Sequence, residues 1–445
     1  MISTWRRRKA GKNHRPSDLE VTIPTHFRCP ISLDLMKDPV TLSTGITYDR
    51  ENIEAWIDAG NYTCPVTSQA LRSVELIPNH AIRKMIQDWC VENRSYGIER
   101  IPTPRVPVTA IEVMEILSDI MDATRREDES KCKDLVMNLQ VKGKESERNK
   151  NCIRANGAGG TLAAVFNAFA VAVSSEKHMG VLEVILSALT LMFPLDAEAG
   201  SSLGSPDSLR CMVWFLKSGD LSARRNAVLA MKEILSLDNE YVCVLERIEG
   251  GKEALLKLIK VPICPTSTNA SLMVIYYMVS SSSSSSSSSL TLTGIDKIRS
   301  EFADMGLVSL LVEEILVDSE KSLCEKALGV LDGICNSEEA RQKAYNHALT
   351  IPVIVKKILR VSDMATEFSV SIIWKLCKNE KRDDGGVLVE ALQVGAFQKL
   401  LLLLQVGCGE KTKEKASEVL KLLNLNRDKC ECIDSMDLKE IKRPF

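Results

Sequence analysis

Few residues in the segment 22–93 could hold a metal ion or act as a nucleophile. They are Cys29, Cys64, Cys90, His26 and His80. No two of these cysteines form a C-x-x-C pair, whereas a structural zinc site needs four ligands at suitable spacing. We therefore predict that this segment binds no metal ion and needs no cofactor.

The thiols of this segment also lack the neighbours that would activate them. Cys29 and Cys64 each precede a proline, and neither has an obvious His or Asp partner nearby in sequence. Group transfer through a cysteine needs an activated thiolate. We predict that both side chains are small buried groups and that the segment contains no catalytic residue.

Short elements must position these residues. The β-prone runs 40–42 and 46–48 are joined by a turn at 43–45, in which Gly45 can adopt a positive φ. Two residues are predicted to cap the helices that follow: Asp49, before residues 50 to about 59, and Asn79, before a last helix with a stripe of Ile82, Met85, Ile86 and Trp89.

The remainder of the chain is dominated by a helical repeat. A pattern of small-x-x-x-apolar-x-x-apolar begins at Val184, Ala227, Ala270, Ala327, Ser369 and Ala416, at intervals of 43, 43, 57, 42 and 47 residues. A period near 40–47 is typical of armadillo or HEAT repeats. The long interval contains the serine run 280–289, which we predict to be a disordered loop.

Several motifs between residues 24 and 79 occur in one order: Cys29-Pro30-Ile31-Ser32-Leu33-Asp34, Asp38-Pro39-Val40, Thr47-Tyr48-Asp49-Arg50, Cys64-Pro65 and Ile77-Pro78-Asn79. This order resembles the U-box, the metal-free relative of the zinc RING found in E3 ubiquitin ligases. The whole chain resembles plant U-box proteins with armadillo repeats. The resemblance implies a small α+β U-box, similar to a RING without metal, followed by an all-α armadillo-repeat superhelix.

The resemblance also implies a surface that docks a ubiquitin-charged E2 enzyme. By motif position, Ile31 and Leu33 of the first loop, Pro65 of the second loop and Trp56 of the central helix match the E2 contacts. Alternation along the first loop would place Ile31 and Leu33 on one side, with Ser32 and Asp34 on the other. The competing interpretation is that these apolar residues belong to the core.

The resemblance implies that polar contacts replace the zinc ions that hold the loops of a RING. Six residues are candidates for charge-assisted hydrogen bonds that pin the loops: Asp34, Asp38, Asp49, Arg50, Glu51 and Asn79. One departure from the family pattern concerns Ser68. Many RING and U-box proteins carry at this position a basic residue that favours the closed conformation of the E2–ubiquitin conjugate. Arg72 is the basic residue near this position, but it does not align with it in the motif.

These features divide the chain into five segments. They are a basic flexible tail (1–21), the U-box (22–96), a Pro-rich linker (97–109), armadillo-like repeats (110–430) and a C-terminal tail (431–445). The groove of a repeat array is the default site for an extended peptide or protein. Trp214, Trp374 and Phe368 are either anchors in that groove or core residues.

Composition limits the partners and the location. A net charge of −2 over 445 residues argues against bulk nucleic-acid binding. The basic N-terminus could contact anionic lipid, act as a nuclear signal or remain a solvated tail. The fourteen cysteines are scattered, apart from Cys430 and Cys432, and predict reduced thiols. We expect a cytoplasmic protein, with nuclear and peripheral-membrane locations as alternatives.

The resemblance implies an E3 ubiquitin-protein ligase that forms no covalent intermediate with ubiquitin, and whose repeats bind a substrate or regulator. The alternative is a non-enzymatic armadillo adaptor or scaffold whose U-box binds E2 unproductively or only self-associates, and Ser68 keeps this alternative open. An importin-like carrier would need an ordered ladder of Trp and Asn, yet the repeats contain only Trp214 and Trp374.

Overall fold

The computed structural model divides the chain into two compact units, residues 1–107 and 108–445. The structure describes residues 23–96, 98–99, 101, 107–171, 178–280, 292–317, 319–380 and 386–426, with side chains from residue 294 in the sixth range. The predicted tails 1–21 and 431–445, most of the predicted linker 97–109 and residues 281–289 of the serine run lie outside the described residues.

The N-terminal unit is a three-stranded antiparallel sheet with two helices. Its elements are a 3-10 turn (Thr25–Phe27), β1 (Pro39–Thr41), β2 (Thr47–Asp49), α1 (Arg50–Asp58), β3 (Ile77–Pro78), α2 (His80–Glu92) and a second 3-10 turn (Arg94–Tyr96). The strand order is β2-β1-β3, so that Val40 pairs with Tyr48 on one side and with Pro78 on the other. The first strand of the predicted hairpin, β1, is therefore the central strand of the sheet, and β2 lies at one edge.

The core of the N-terminal unit is small and contains three cysteines. Its buried residues are Phe27, Cys29, Met36, Val40, Leu42, Tyr48, Ile53, Cys64, Ile86, Cys90 and Ile101. The stripe predicted for α2 is wrong at one position. Met85 is exposed, and Cys90 is buried in the core beside Ile86.

The second unit consists of helices throughout its described residues. In chain order they are α3 (Ala110–Arg125), α4 (Glu129–Glu145), α5 (Glu147–Ala155), α6 (Ala158–Val171), α7 (Met179–Leu189), α8 (Ala197–Leu203), α9 (Pro206–Ser218), α10 (Leu221–Leu237), α11 (Glu240–Glu246), α12 (Gly251–Lys260), α13 (Pro265–Ser280), α14 (Leu292–Asp304), α15 (Leu307–Ser309), which continues into a π-helical segment (Leu310–Ile315), α16 (Lys321–Ile334), α17 (Glu338–Tyr345), α18 (Thr350–Lys357), α19 (Asp363–Lys378), α20 (Gly386–Gln393), α21 (Ala396–Val406) and α22 (Glu410–Leu425).

One helix from each repeat packs against its equivalent in the next repeat. The series runs α4, α7, α10, α13, α16, α19 and α22, and we call these the ladder helices. All six positions that mark the sequence repeat lie in ladder helices, from Val184 in α7 to Ala416 in α22. The marked residue is fully buried in the last five of them, because a small side chain there lets the helices approach closely. The arrangement agrees with the predicted order of an α+β unit and all-α repeats.

In several repeats, a glycine in the left-handed conformation directly precedes a helix that is not a ladder helix. Gly157, Gly250, Gly306 and Gly395 have φ between 80° and 84° and directly precede α6, α12, α15 and α21. A residue with a Cβ adopts this conformation only at a cost. The interhelical turns at Gly250, Gly306 and Gly395 thus have a specific backbone geometry.

The predicted serine loop begins within a helix of the second unit. Ser280 is the last residue of α13, so the predicted serine loop overlaps the helix by one residue. No single helix in the described ranges has both the length and the apolar character to cross a membrane. Only the pair α20 and α21, bent by 68°, meets those criteria together, by length and composition.

Candidate functional site

Two loops of the N-terminal unit share one backbone design. They are the first loop, residues 29–34, and the second loop, residues 64–69. In each, the cysteine N–H donates to the carbonyl five residues later, at 2.8 Å in both loops. The N–H of the fifth loop residue, Leu33 or Ser68, donates back to the cysteine carbonyl, again at 2.8 Å. The shared Cys-Pro dipeptide was the only sign of this likeness in the sequence.

The fifth residue of each loop is left-handed. Leu33 has φ of 64° and Ser68 has φ of 56°, although neither is glycine. Such residues persist where surrounding hydrogen bonds determine the backbone. The four residues for which alternation was predicted, Ile31, Ser32, Leu33 and Asp34, are all exposed.

The loops present apolar side chains to solvent. Ile31 is 38% exposed and Leu33 is 67% exposed, so neither belongs to the core. Pro65 is half-buried. Val66 was not among the predicted E2 contacts. It is 54% exposed and occupies the place in the second loop that Ile31 has in the first. Comparison of the two Cys-Pro-x sequences is the signal that could have identified it.

Trp56 connects α1 with the second loop. Its ring is half-buried and packs against the core. Its indole Nε1–H donates to the carbonyl of Thr63 at 2.9 Å, directly before Cys64. The side chain therefore orients the second loop relative to the central helix.

Each loop cysteine accepts or shares hydrogen bonds through its sulfur. The Cys29 Sγ accepts from the Asp49 N–H at 3.3 Å and lies 3.5 Å from Asn52 Nδ2. The Cys64 Sγ lies 3.0 Å from Tyr48 Oη, which in turn accepts from the Val66 N–H at 3.3 Å. The predicted burial of both thiols agrees with the structure, but their sulfurs also link the loops to β2 and α1.

The environment of Cys64 changes its acidity. Burial opposes ionisation of the thiol, but hydrogen bonds from neighbouring hydroxyls, Tyr48 among them, outweigh it and lower the pKa of Cys64 to about 6. Burial raises the pKa of Tyr48, and Cys64 raises it further. Either group can donate in the neutral pair, and a Cys64 thiolate would accept from the Tyr48 hydroxyl. At 1% exposure, the Cys64 side chain is closed to an external reactant.

A polar network joins the first loop region to both helices. The Asp38 carboxylate accepts from Arg50 Nε at 2.7 Å and forms an ion pair with Arg83. The Arg50 N–H donates to the Asp38 carbonyl at 2.9 Å. Asp49 Oδ1 accepts from the N–H groups of Lys37 and Asp38, at 3.0 and 2.7 Å. Its carboxylate is directed toward this turn, so Asp49 precedes α1 but does not cap it with its side chain.

Asn79 joins α2 to the sheet. Its Oδ1 accepts from the Ile82 N–H at 3.0 Å, which is the predicted cap. Its Nδ2 donates to the hydroxyls of Thr41 at 3.2 Å and Thr47 at 3.3 Å. One side chain thereby satisfies a helix terminus and links it to β1 and β2.

The network differs from the predicted set in three members. Asp34 and Glu51 are exposed, and within residues 23–96 their side chains join none of these bonds. Arg83 was missed, although its side chain is 13% exposed and is paired with Asp38. The signal was its position four residues after Asn79, one turn along α2. Across the described residues, no group of three His, Cys, Asp or Glu side chains could hold a metal ion.

Comparison with known proteins identifies both units. The family model "U-box domain" matches residues 23–95, and "Plant U-box protein ARM repeat region" matches residues 112–443. Among curated relatives, "U-box domain-containing protein 21" of Arabidopsis thaliana is 47% identical, with 99% of each chain covered. "E3 ubiquitin-protein ligase PUB23" of the same species is 34% identical, with 91% of this chain and 93% of that one covered.

Among solved structures, a "Designed armadillo repeat protein YIII(Dq)4CqI" has a TM-score of 0.46 at 18% identity, covering 58% of this chain and 100% of its own. The family models and the relatives over nearly the full length agree with the two units of the fold. The chain belongs to the plant U-box proteins with an ARM repeat region.

Proposed function

We propose that this chain is an E3 ubiquitin-protein ligase. In this proposal the U-box docks an E2 enzyme that carries ubiquitin, and the ARM repeats bind the substrate or a regulator. The printed names of two relatives, "E3 ubiquitin-protein ligase PUB23" and "E3 ubiquitin-protein ligase PUB22", at 34% and 33% identity, support this activity.

The exposed apolar surface of the two loops carries the proposal. Ile31, Leu33 and Val66 are apolar side chains held in solvent by loops whose backbones are hydrogen-bonded in turn geometry. Exposed apolar groups on a rigid surface are a common property of protein interaction sites. Pro65 and Trp56 lie in and beside the second loop and complete the proposed E2 contact.

The proposed catalysis depends on position rather than on a catalytic residue. The E2 holds ubiquitin as a thioester, and the substrate lysine amine attacks the thioester carbonyl. An isopeptide bond forms, and the E2 thiolate leaves. Orientation of the two reactants supplies the rate increase. The burial of Cys29 and Cys64 supports a route without a covalent bond between this chain and ubiquitin.

The polar network takes the structural place that zinc has in a RING. Asp38, between Arg50 and Arg83, and Asn79, between α2 and the sheet, hold the segments that flank the loops. We therefore expect that EDTA leaves the U-box folded and active. Hydrogen exchange measures whether EDTA unfolds residues 23–96, and unfolding there would contradict this assignment.

Autoubiquitination with E1, a panel of E2 enzymes, ATP and ubiquitin tests the proposal. Ile31→Ala is expected to lower the initial rate about tenfold, which corresponds to about 1.4 kcal/mol of lost contact. Val91→Ala is the matched control, because Val91 is an exposed apolar residue of α2 outside the loops, and its rate should stay within about twofold. Absence of chains with every E2 would refute ligase activity.

The adaptor remains the second candidate because of Ser68. This residue is exposed and left-handed at the end of the second loop, and it offers no positive charge to an E2–ubiquitin conjugate. E2 binding without chain formation would support the adaptor. In that case, chain formation by Ser68→Arg would identify the missing charge as the cause.

A further inference from the structure

A tryptophan with two lysines lies on the exposed side of the last ladder helices. Trp374 of α19 is half-buried, and its indole N–H donates to the Glu418 carboxylate of α22. Lys378 Nζ lies 4.5 Å from the ring centroid, and Lys415 Nζ lies 5.5 Å from it. We call Ser371, Trp374, Lys378, Lys415 and Glu418 the Trp374 face.

The ammonium group of Lys415 lacks an anionic partner at hydrogen-bond distance among the described residues. Its bond, at 2.8 Å, is to the neutral hydroxyl of Ser371. The nearby Asp332 carboxylate is bound by Lys375 at 2.8 Å. Burial lowers the pKa of Lys415, and the charges of Lys375 and Lys411 lower it further, while Asp332 and Glu367 oppose them. The charge of Lys415 is therefore incompletely compensated.

The two lysines beside Trp374 differ in their partners. Lys378 Nζ lies 3.5 Å from the Glu418 carboxylate, which also accepts from the indole N–H. Lys415 has no such carboxylate partner among the described residues, so it is the cation of the Trp374 face that a further anion could pair with.

Helix stability does not account for this charge. Lys378 lies at the C-terminus of α19, where a cation is favoured by the helix dipole. In the first turn of α22, Lys413 is paired with Glu410 at 3.8 Å. Lys415 follows within the second turn, where no dipole favours a cation and its hydrogen bond is to the neutral hydroxyl of Ser371. This lysine is therefore suited to attract an external anion.

We infer that the Trp374 face binds an acidic segment of a protein partner. A carboxylate of that segment would neutralise Lys415, and the apolar part of the segment would pack on the indole of Trp374. This inference rests on the proposed function, since it specifies which chemistry the repeats select in a substrate or regulator.

Fluorescence anisotropy of the full chain with labelled hexaglutamate tests this site, with hexaglutamine as the neutral comparison. Hexaglutamate should bind more tightly, and its binding should weaken as salt rises. Lys415→Gln should weaken it about fivefold, and Lys415→Arg should retain most of the affinity. Lys413→Gln is the matched control, because it removes the same charge from an exposed side chain of the same helix, and it should change affinity less than about twofold.

Equal binding of the two peptides, or equal effects of Lys413→Gln and Lys415→Gln, would overturn the inference. Autoubiquitination by the same variants separates it from the ligase proposal. Lys415→Gln should leave autoubiquitination unchanged, because that reaction depends on the U-box. Selective hexaglutamate binding in a chain without ligase activity would refute the ligase but retain the Trp374 face. Ligase activity without selective hexaglutamate binding would retain the ligase proposal and refute the inference about the Trp374 face.

Discussion

The U-box and the ARM repeats are stabilised by different kinds of contact. The N-terminal unit, which contains the U-box, buries eleven residues in its core among those described, and single polar side chains connect its elements. The repeats bury one continuous apolar core from Val108 to Leu423, to which each ladder helix adds a layer. A small domain has little apolar surface to bury, so individual polar contacts matter more there. In a repeat array, stability is spread over neighbouring contacts.

The strongest test of this difference is Asp38→Ala in the U-box. It removes the carboxylate between two largely buried guanidinium groups, so that Arg83 loses its anion and Arg50 keeps only Glu54 among the described residues, at 3.6 Å. We expect a loss of about 3–5 kcal/mol in the free energy of unfolding of the U-box, with the repeats unchanged. Hydrogen exchange of the full chain resolves the two units. Asp34→Ala is the control, an exposed aspartate of the first loop, and an equal loss there would contradict the role of Asp38.

The corresponding test of the repeats is a packing change. A Cβ added at Gly333 in α16 would lie 2.6 Å from Cγ2 of Val279 in α13. Gly333→Ala should therefore cost about 1–3 kcal/mol through displaced helices, with faster exchange in α13 and α16 only. Gly160→Ala in α6 has nothing within 4 Å of the new Cβ and should stabilise the repeats by about 0.5 kcal/mol. Loss of stability in both variants would refute close packing as the cause.

A single polar side chain should matter less when it carries no charge. Asn79→Ala removes the cap of α2 and the two bonds to Thr41 and Thr47, with an expected loss of about 1–2 kcal/mol. Urea unfolding, followed through the transition of the U-box, measures this loss of stability. Asn93→Ala, at the other end of α2, removes one bond to the Trp89 carbonyl and should cost about half as much. If Asn93→Ala costs more, Asn79 is only an ordinary cap.

The smallest effect concerns the pH dependence of the two units. Cys64 has a folded pKa of about 6, below the ordinary thiol value of 9.0. Between these values the unfolded U-box binds the extra proton, so its stability should rise with pH, and the added stability is lost as pH falls toward 6. One pKa unit corresponds to about 1.4 kcal/mol, so the stability of the U-box should change by no more than about 1.4 kcal/mol per pH unit within this window.

Urea unfolding between pH 6 and 9 should show this rise in the parent chain and a flatter profile in Cys64→Ser. Cys211, in the repeats, provides the opposite case. Burial raises the pKa of Cys211 to about 11. Its contribution to the free energy of unfolding is therefore complete below pH 9 and declines above it. Equal profiles for Cys64→Ser and the parent chain would indicate that Cys64 stays protonated.

The sequence identified features that depend on local pattern. The repeat marked by Ala227, Ala270 and Ala327 lies in successive ladder helices, because a helical period and a small packing residue are visible along the chain. Asn79 was identified as a cap for the same reason, and its cap bond is present. Asp49 was misassigned as a side-chain cap. Its carboxylate binds the N–H groups of Lys37 and Asp38, which are distant in sequence but adjacent across the folded turn.

What the sequence determined by itself was the order of two kinds of domain, the absence of metal-ligand spacing and the Cys-Pro dipeptides that open both loops. Tertiary structure decided which side chains meet. It paired Asp38 with Arg83 of α2, exposed Val66 as the counterpart of Ile31, and gathered lysines from α19 and α22 around Trp374. Local patterns constrain the backbone over one or two turns, whereas these contacts join residues tens of positions apart and exist only after the elements have packed.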